Sequence, residues 1–288
     1  MNTLKTLLLM ALMTGLLVAA GGSMGGQDGA MMMLAVSFVM NFGSYWFSDK
    51  IVLSSSGARE ITREQAPQLF NLVEKLAKRA GLPMPKVCVI DSEVPNAFAT
   101  GRNPEHAAVA VTTGIMRALE YDELAGVLAH ELSHIKHYDT LISTVAASLA
   151  GVISMIGHIA QWGAILGGFG GRDRENNGGA IGFIFTVIVA PFAAMLIQMG
   201  ISRSREYEAD RSGGEICGSP LSLAAALEKI EAYSAQMRAL PTASTTTAHM
   251  YIINPLKKVS FASLFSTHPA TSDRVERLKA QAREMGRY

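Results

Sequence analysis

Four stretches of this chain carry no charged side chain over nearly the thickness of a bilayer: residues 6–20, 30–47, 141–160 and 181–201. A helix needs roughly 20 mainly apolar residues to cross the hydrocarbon core, so each is expected to be a transmembrane helix. The last two are apolar all round and are joined by a glycine-rich polar loop, a pattern foreign to the half-exposed helices of a soluble protein. Pro191 in the fourth is tolerable where neighbouring helices satisfy the backbone group it frees. Lys5 before an apolar run that closes on small residues also fits a signal peptide. Its removal would leave the second stretch crossing in the same direction.

Charge orients these spans. The loop 21–29 holds no Lys or Arg, and the loop 161–179 holds only Arg172 and Arg174, offset by Asp173 and Glu175. Every other Lys and Arg lies on the opposite side, so the positive-inside rule puts both termini and nearly all polar sequence in the cytosol. The totals, 25 basic against 24 acidic residues, give no basic excess of the kind that nucleic-acid binding uses. Cys88 and Cys217 form no Cys-x-x-Cys pair and are expected to be reduced, buried thiols.

The expected division is a first transmembrane hairpin at 1–49, a cytosolic block at 50–139, a second hairpin at 140–201 and a second cytosolic block at 202–288. In the first block, Leu69, Leu72, Val73 and Leu76 share one face of a helix over 67–80, stopped by Gly81 and Pro83. Residues 86–90 and 107–112 are short β-rich runs with Asn96–Thr100 between them. Asp122 is expected to cap a helix with Leu124, Val127, Leu128, Leu132 and Ile135 on one side and His130 and His134 on the other. The second block opens a helix at Ser219–Pro220, running to about Leu240. A Thr/Ser-rich linker and a last helix over 271–285 follow.

That histidine-bearing helix is the chemical centre of the sequence. His130 and His134, four apart, project from one helix face and can share an ion, with Glu131 beside them to take a proton from water activated there. A catalytic zinc takes three protein ligands and keeps one position open. His137, Asp139, Glu206 and His268 are the candidates for the third. His137 lies a turn further along one straight helix, too far to meet the same ion at about 2 Å. Glu206, with Asp210 four residues on, reads better as ligand and orienter of a ligand histidine. Arg203 and Arg205 read as a membrane-edge anchor.

Three segments in this order, His130-Glu131-Leu132-Ser133-His134, Glu206-Tyr207-Glu208-Ala209-Asp210 and Ser266–Arg274 (STHPATSDR), resemble the HtpX-type membrane zinc metalloproteases. These are gluzincins, related to the CAAX prenyl endopeptidases. The resemblance covers almost the whole chain. It implies a mainly α membrane protein with four transmembrane helices and a cytosolic α+β, zincin-like catalytic domain containing a small β-sheet. It further implies one Zn2+ per chain on His130, His134 and Glu206, with Glu131 as general base and His268 and Arg274 near the scissile carbonyl. Asn96, Ala97, Phe98 and Ala99 are implied to lie by an edge strand that takes the substrate as an added strand.

The expected protein is a zinc endopeptidase of the bacterial inner membrane. It would cleave misfolded or damaged membrane proteins at the cytosolic face, in quality control under stress, with the bilayer and polypeptides as its partners. A scaffold with a structural zinc and a prenyl endopeptidase are the alternatives. The first is opposed by Glu131 and by the lack of a fourth protein ligand. A transporter is disfavoured, because the spans hold only Asn41, His158 and Gln198 as sizeable polar groups.

Overall fold

The structure is a computed structural model that describes residues 2–146, 148, 149, 152, 153, 203–236 and 269–286. Most of the third apolar stretch, all of the fourth, the Thr/Ser-rich linker and His268 lie outside the described residues. The described residues fall into two compact units, one containing Thr3–Ser44 and the other containing Tyr45–Thr144 and the described residues from 203 onward.

The first unit holds most of α1 (Asn2–Trp46), a helical run broken at Gly25 and Gly26. Gly26 sits at φ 59°, ψ −143°, a conformation closed to residues with a Cβ, so the chain can double back there. The two legs of α1 pack on each other. Asn41 Nδ2 donates to Thr14 Oγ1 at 2.9 Å, and Gly21 approaches the Gly29 carbonyl so closely that a Cβ would collide with it. Small residues and one interhelical amide are how helices adhere where burial from water supplies no drive. Leu4, Leu7, Leu8, Met31, Met32, Phe38 and Val39 remain exposed, an apolar exterior suited to lipid.

Of the described helices, Leu4–Ser23 alone is long and apolar enough to cross a membrane by itself. The second expected span, 30–47, passes that test only as Gly25–Trp46 taken with α2 (Ser48–Ser55), and that pair is bent by 78°. The helix breaks at Phe47, where polar sequence begins. In the third stretch, residues 141–146 are helical.

The second unit is a mixed four-stranded sheet packed against helices. Its strands are β1 (Arg59–Glu60), β2 (Lys86–Ile90), β3 (Ala97–Gly101) and β4 (Ala107–Thr112), in the order β1-β2-β4-β3. The pair β2–β4 is parallel, and β1 and β3 join antiparallel. Sequence pattern showed β2 and β4. The segment expected beside an edge strand is itself the edge strand, β3.

Under one face of the sheet, Val87, Val109 and Val111 meet Leu69, Leu72, Val73 and Leu76 of α3 (Pro67–Ala80) and Val127, Leu128 and Leu132 of α5 (Tyr121–Lys136). On the other face Cys88, Phe98 and Ala110 pack with Val52 and Leu53 of α2. Both cysteines are free; Cys88 is buried, which pushes its thiol up to about 11, and Cys217 is half-buried. A short α4 (Thr113–Ala118) leads into α5. The remaining described helices are α6 (Arg203–Cys217), α7 (Pro220–Gln236) and α8 (Thr271–Glu284).

One expectation about α5 changes. Its N-cap is Glu120, not Asp122: Glu120 and Glu123 make a reciprocal capping box, with Glu120 N–H donating to Glu123 Oε2 at 2.8 Å. Asp122 sits in the first turn, where its charge still favours the helix dipole. The histidine side of α5 does not face solvent. It is covered by α6, which crosses α5 at Gly213, where a Cβ would lie 2.9 Å from both Cα and N of His130.

No side chain fits that crossing without moving one of the helices. Gly213→Ala is therefore expected to cost about 1–3 kcal/mol through overpacking and to spread α5 from α6. The readouts are a lower unfolding midpoint in detergent and faster loss of bound metal to a chelator. Wild-type values for both would show that the crossing does not set the site.

Candidate active site

α5 presents His130 and His134 one turn apart, with their Nε2 atoms 3.2 Å from each other and their rings perpendicular. The first turn of α6 supplies Glu206, whose Oε2 lies 3.7 Å from His130 Nε2 and whose Oε1 lies 3.7 Å from His134 Nε2. Ligands at about 2.0–2.1 Å from a tetrahedral ion stand roughly 3.3 Å from one another, so the three side chains need close in by only a few tenths of an ångström. Among the described residues they form the one group with metal-ligand geometry. His137 and Asp139 are not part of it. His130 and Glu206 are each 3% exposed. Burial of that depth for a carboxylate between two imidazoles is costly without a cation to share, and this donor set suits zinc.

Glu131 turns toward the sheet instead. Its Oε2 accepts the backbone N–H of Ala99, on β3, at 2.9 Å. The carboxylate next to the ligand pair is thus fixed against the edge of the sheet. Thr112 N–H donates to the Asn96 carbonyl, and in an antiparallel pair the bonded residues alternate with outward-facing ones. With Phe98 opposite Ala110, the backbone groups of Ala97 and Ala99 point away from β4. Gly101 points the same way, but its carbonyl already accepts Thr140 Oγ1 at 2.8 Å.

Each of the two histidines has a carboxylate beside the ring nitrogen turned away from Glu206. Asp210 Oδ1 stands 3.0 Å from His130 Nδ1, and Asp139 Oδ2 stands 3.2 Å from His134 Nδ1. Arg274, 2% exposed, grips Asp210 with a two-pronged contact, Nε to Oδ2 at 2.8 Å and Nη2 to Oδ1 at 2.6 Å. Burial pushes the Asp210 carboxyl up, but the Arg274 charge and hydrogen bonds outweigh it and hold it at about 2. Burial likewise pushes His134 down, while Asp139, Glu206 and Glu131 outweigh it and lift the metal-free imidazole to about 9. A metal entering this site at neutral pH must displace that proton, and binding tightens as pH rises toward the same value.

The structure thus brings together His130, Glu131, His134, Glu206, Asp210, Arg274 and Ala99 of the residues expected from sequence. Ala97 and Phe98 lie on the same edge strand, and Asn96 immediately precedes it. Arg274 Nη2 is 3.5 Å from His130 Nε2, although two of its nitrogens are engaged by Asp210. His268 falls outside the described residues. Two contributions were missed. Asp139 was weighed only as a ligand, and Arg205, read as an anchor, instead pairs with Asp139 at 3.6 Å. The signal for Arg205 was its place on α6 directly before Glu206.

A His-Glu-x-x-His helix completed by a glutamate from a second helix, beside the free edge of a small sheet, defines a metallopeptidase site. The comparisons agree. The model of peptidase family M48 matches residues 63–282, and the chain belongs to that family of metalloproteases. A protein named Protease HtpX homolog from Thermococcus sibiricus is 54% identical over 284 residues, 98% of this chain and 97% of that one. Another of that name from Pyrococcus furiosus is 53% identical over 283 residues, 98% and 96% of the two chains. The crystal structure of S. mikatae Ste24p shares the fold, with a TM-score of 0.56 at 19% identity over 96% of this chain. This chain spans about 65% of that one's length.

Proposed function

We propose that the chain is a zinc endopeptidase embedded in a bacterial inner membrane, with its active site on the cytosolic side, cleaving misfolded or damaged membrane proteins there. The observation that carries this reading is the placement of His130, His134 and Glu206 at ligand spacing, with Glu131 between them and β3. Three side chains leave a tetrahedral ion one open position, as catalysis needs and a structural site does not.

When bound, zinc would supply Lewis acidity toward the peptide carbonyl and the attacking water. Glu131, held by Ala99, is placed to take the water's proton and return it to the leaving amine. Asp210, with Oδ1 3.0 Å from His130 Nδ1, is placed to favour the proton on that nitrogen and leave Nε2 for the ion. Arg274 and His268 are the proposed donors to the developing oxyanion; the 3.5 Å from Arg274 Nη2 to His130 Nε2 supports the first. A peptide laid along β3 would pair with the outward backbone of Ala97 and with the Ala99 carbonyl, the Ala99 N–H being engaged by Glu131, and backbone pairing tolerates varied sequence. Such tolerance suits a quality-control protease better than one restricted to prenylated ends.

The catalytic domain on this reading is discontinuous, 50–139 with 202–288, preceded by a hairpin at 1–49 and interrupted by another at 140–201. Support comes from the apolar helix Leu4–Ser23 and from the basic residues gathered on one side of the uncharged stretches.

One experiment tests site and orientation together. Casein added to sealed inside-out vesicles from expressing cells is expected to be cleaved, to be spared after chelation and to be cleaved again once zinc is restored. Sealed right-side-out vesicles should cleave it only after permeabilisation. Cleavage that survives chelation would overturn the zinc assignment, and cleavage by intact right-side-out vesicles the orientation.

A further inference from the structure

Resting on the zinc reading above, we propose that Asp139 and Arg205 form a second positioning arm that holds His134, the counterpart of Asp210 and Arg274 behind His130. Asp139 is 4% exposed, with one oxygen 3.2 Å from His134 Nδ1 and the other 3.6 Å from Arg205 Nη1. The Arg205 side chain is itself only 13% exposed. The order histidine, aspartate, arginine therefore occurs twice, once for each imidazole, although Arg274 hydrogen-bonds Asp210 whereas Arg205 meets Asp139 only as an ion pair.

The two arms are built from different parts of the chain, so neither follows from the other by helix spacing. Asp210 lies on α6 one turn beyond Glu206, and Arg274 comes from α8. Asp139 follows the end of α5, and Arg205 directly precedes Glu206 on α6. What brings Asp139 back onto His134 is a backbone reversal at Tyr138, whose φ of 61° is the only positive value at a non-glycine among the described residues. An aromatic residue held in the left-handed region is strained, and such strain persists only where surrounding contacts enforce it. The next residue, Thr140, hydrogen-bonds the Gly101 carbonyl, so the reversal is pinned on both sides of Asp139.

The physical role follows from the histidine. His134 can offer Nε2 to the ion only if its proton sits on Nδ1, and a carboxylate on Nδ1 fixes that tautomer, sets the ring plane and makes Nε2 a stronger donor. Arg205 acts on Asp139 through its charge, 3.6 Å away, rather than through a hydrogen bond. The same charge lies near Glu206, the next residue on α6, so one buried cation serves both carboxylates. Asp139 and Arg205 are thus positioning residues, acting on the metal through His134.

The test uses the purified full-length protein in detergent, with zinc affinity measured by chelator competition and the visible absorption of the cobalt-substituted protein as a probe of ligand geometry. Asp139→Ala is expected to weaken zinc binding about 10–100-fold and to alter the cobalt spectrum. Asp139→Asn, whose carbonyl still accepts from Nδ1, should recover much of that loss. Arg205→Ala should weaken binding less than Asp139→Ala does, and should add nothing in the Asp139→Ala background, since the two act in series. Should Asp139→Ala fail to fold, Asp139→Asn and Arg205→Ala, alone and combined, carry the same comparison. Wild-type affinity and spectrum in Asp139→Ala, additive effects of the two sites, or equal losses in Asp139→Asn and Asp139→Ala would each overturn the proposal. Absence of zinc binding by the unaltered chain would instead overturn the zinc reading itself.

Discussion

Glu131→Gln will abolish proteolysis while leaving the metal site and the fold in place. The glutamine has the volume of the glutamate, and its carbonyl oxygen can still accept the Ala99 N–H that Glu131 Oε2 now accepts, so β3 and α5 stay joined. It loses only the basic oxygen. A positioned general base contributes about 10²–10⁴-fold, and base and nucleophile fail as a unit when one is removed. The expected fall in kcat/KM on an unfolded protein substrate is therefore about 10³-fold or more, with zinc content unchanged. Activity within tenfold of wild type would remove Glu131 from the chemistry. Loss of zinc alongside loss of activity would show that Glu131 supports the metal instead.

The second large effect separates ligand from neighbour. Glu206→Ala should release zinc at neutral pH, because two imidazoles from one helix turn cannot complete a three-ligand site. The loss should exceed the roughly 10–100-fold that follows removal of an outer partner. His137→Ala should keep its zinc, since His137 stands outside the ligand group although it caps the C-terminus of the helix only three residues beyond His134. Metal analysis after dialysis distinguishes them, with circular dichroism to confirm that Glu206→Ala is folded. Zinc content in Glu206→Ala equal to wild type would leave the third ligand to be found elsewhere.

The histidine helix was legible because helical periodicity is local: four residues bring His130 under His134 wherever the helix is placed. The same holds for α3, whose buried face repeats the spacing of Leu69, Leu72, Val73 and Leu76. The start of α5 was misplaced because Glu120, Asp122 and Glu123 each offer an oxygen near the first turn, and only the observed reciprocal bonds choose Glu120. The two-residue β1 carries no pattern of its own; it exists through its pairing with Val89 and Cys88. Arg205 looked like an anchor because a basic residue after an apolar run usually is one, and its partner Asp139 lies 66 positions earlier in the numbering.

Local spacing by itself determined the helix that offers two imidazoles and a carboxylate, the uncharged stretches of bilayer length, and the uneven distribution of basic residues between the segments that join them. These depend on periodicity and composition, which survive without any knowledge of what packs on what. Tertiary packing decided that Glu206 comes within 3.7 Å of both histidines, because that distance hangs on α6 crossing α5 at a position with no Cβ, Gly213. It decided likewise that Glu131 faces an edge strand and that each histidine is backed by its own aspartate and arginine. Such contacts join residues remote in sequence, and their geometry is set by which helices can approach closely, a matter of shape that no single segment encodes.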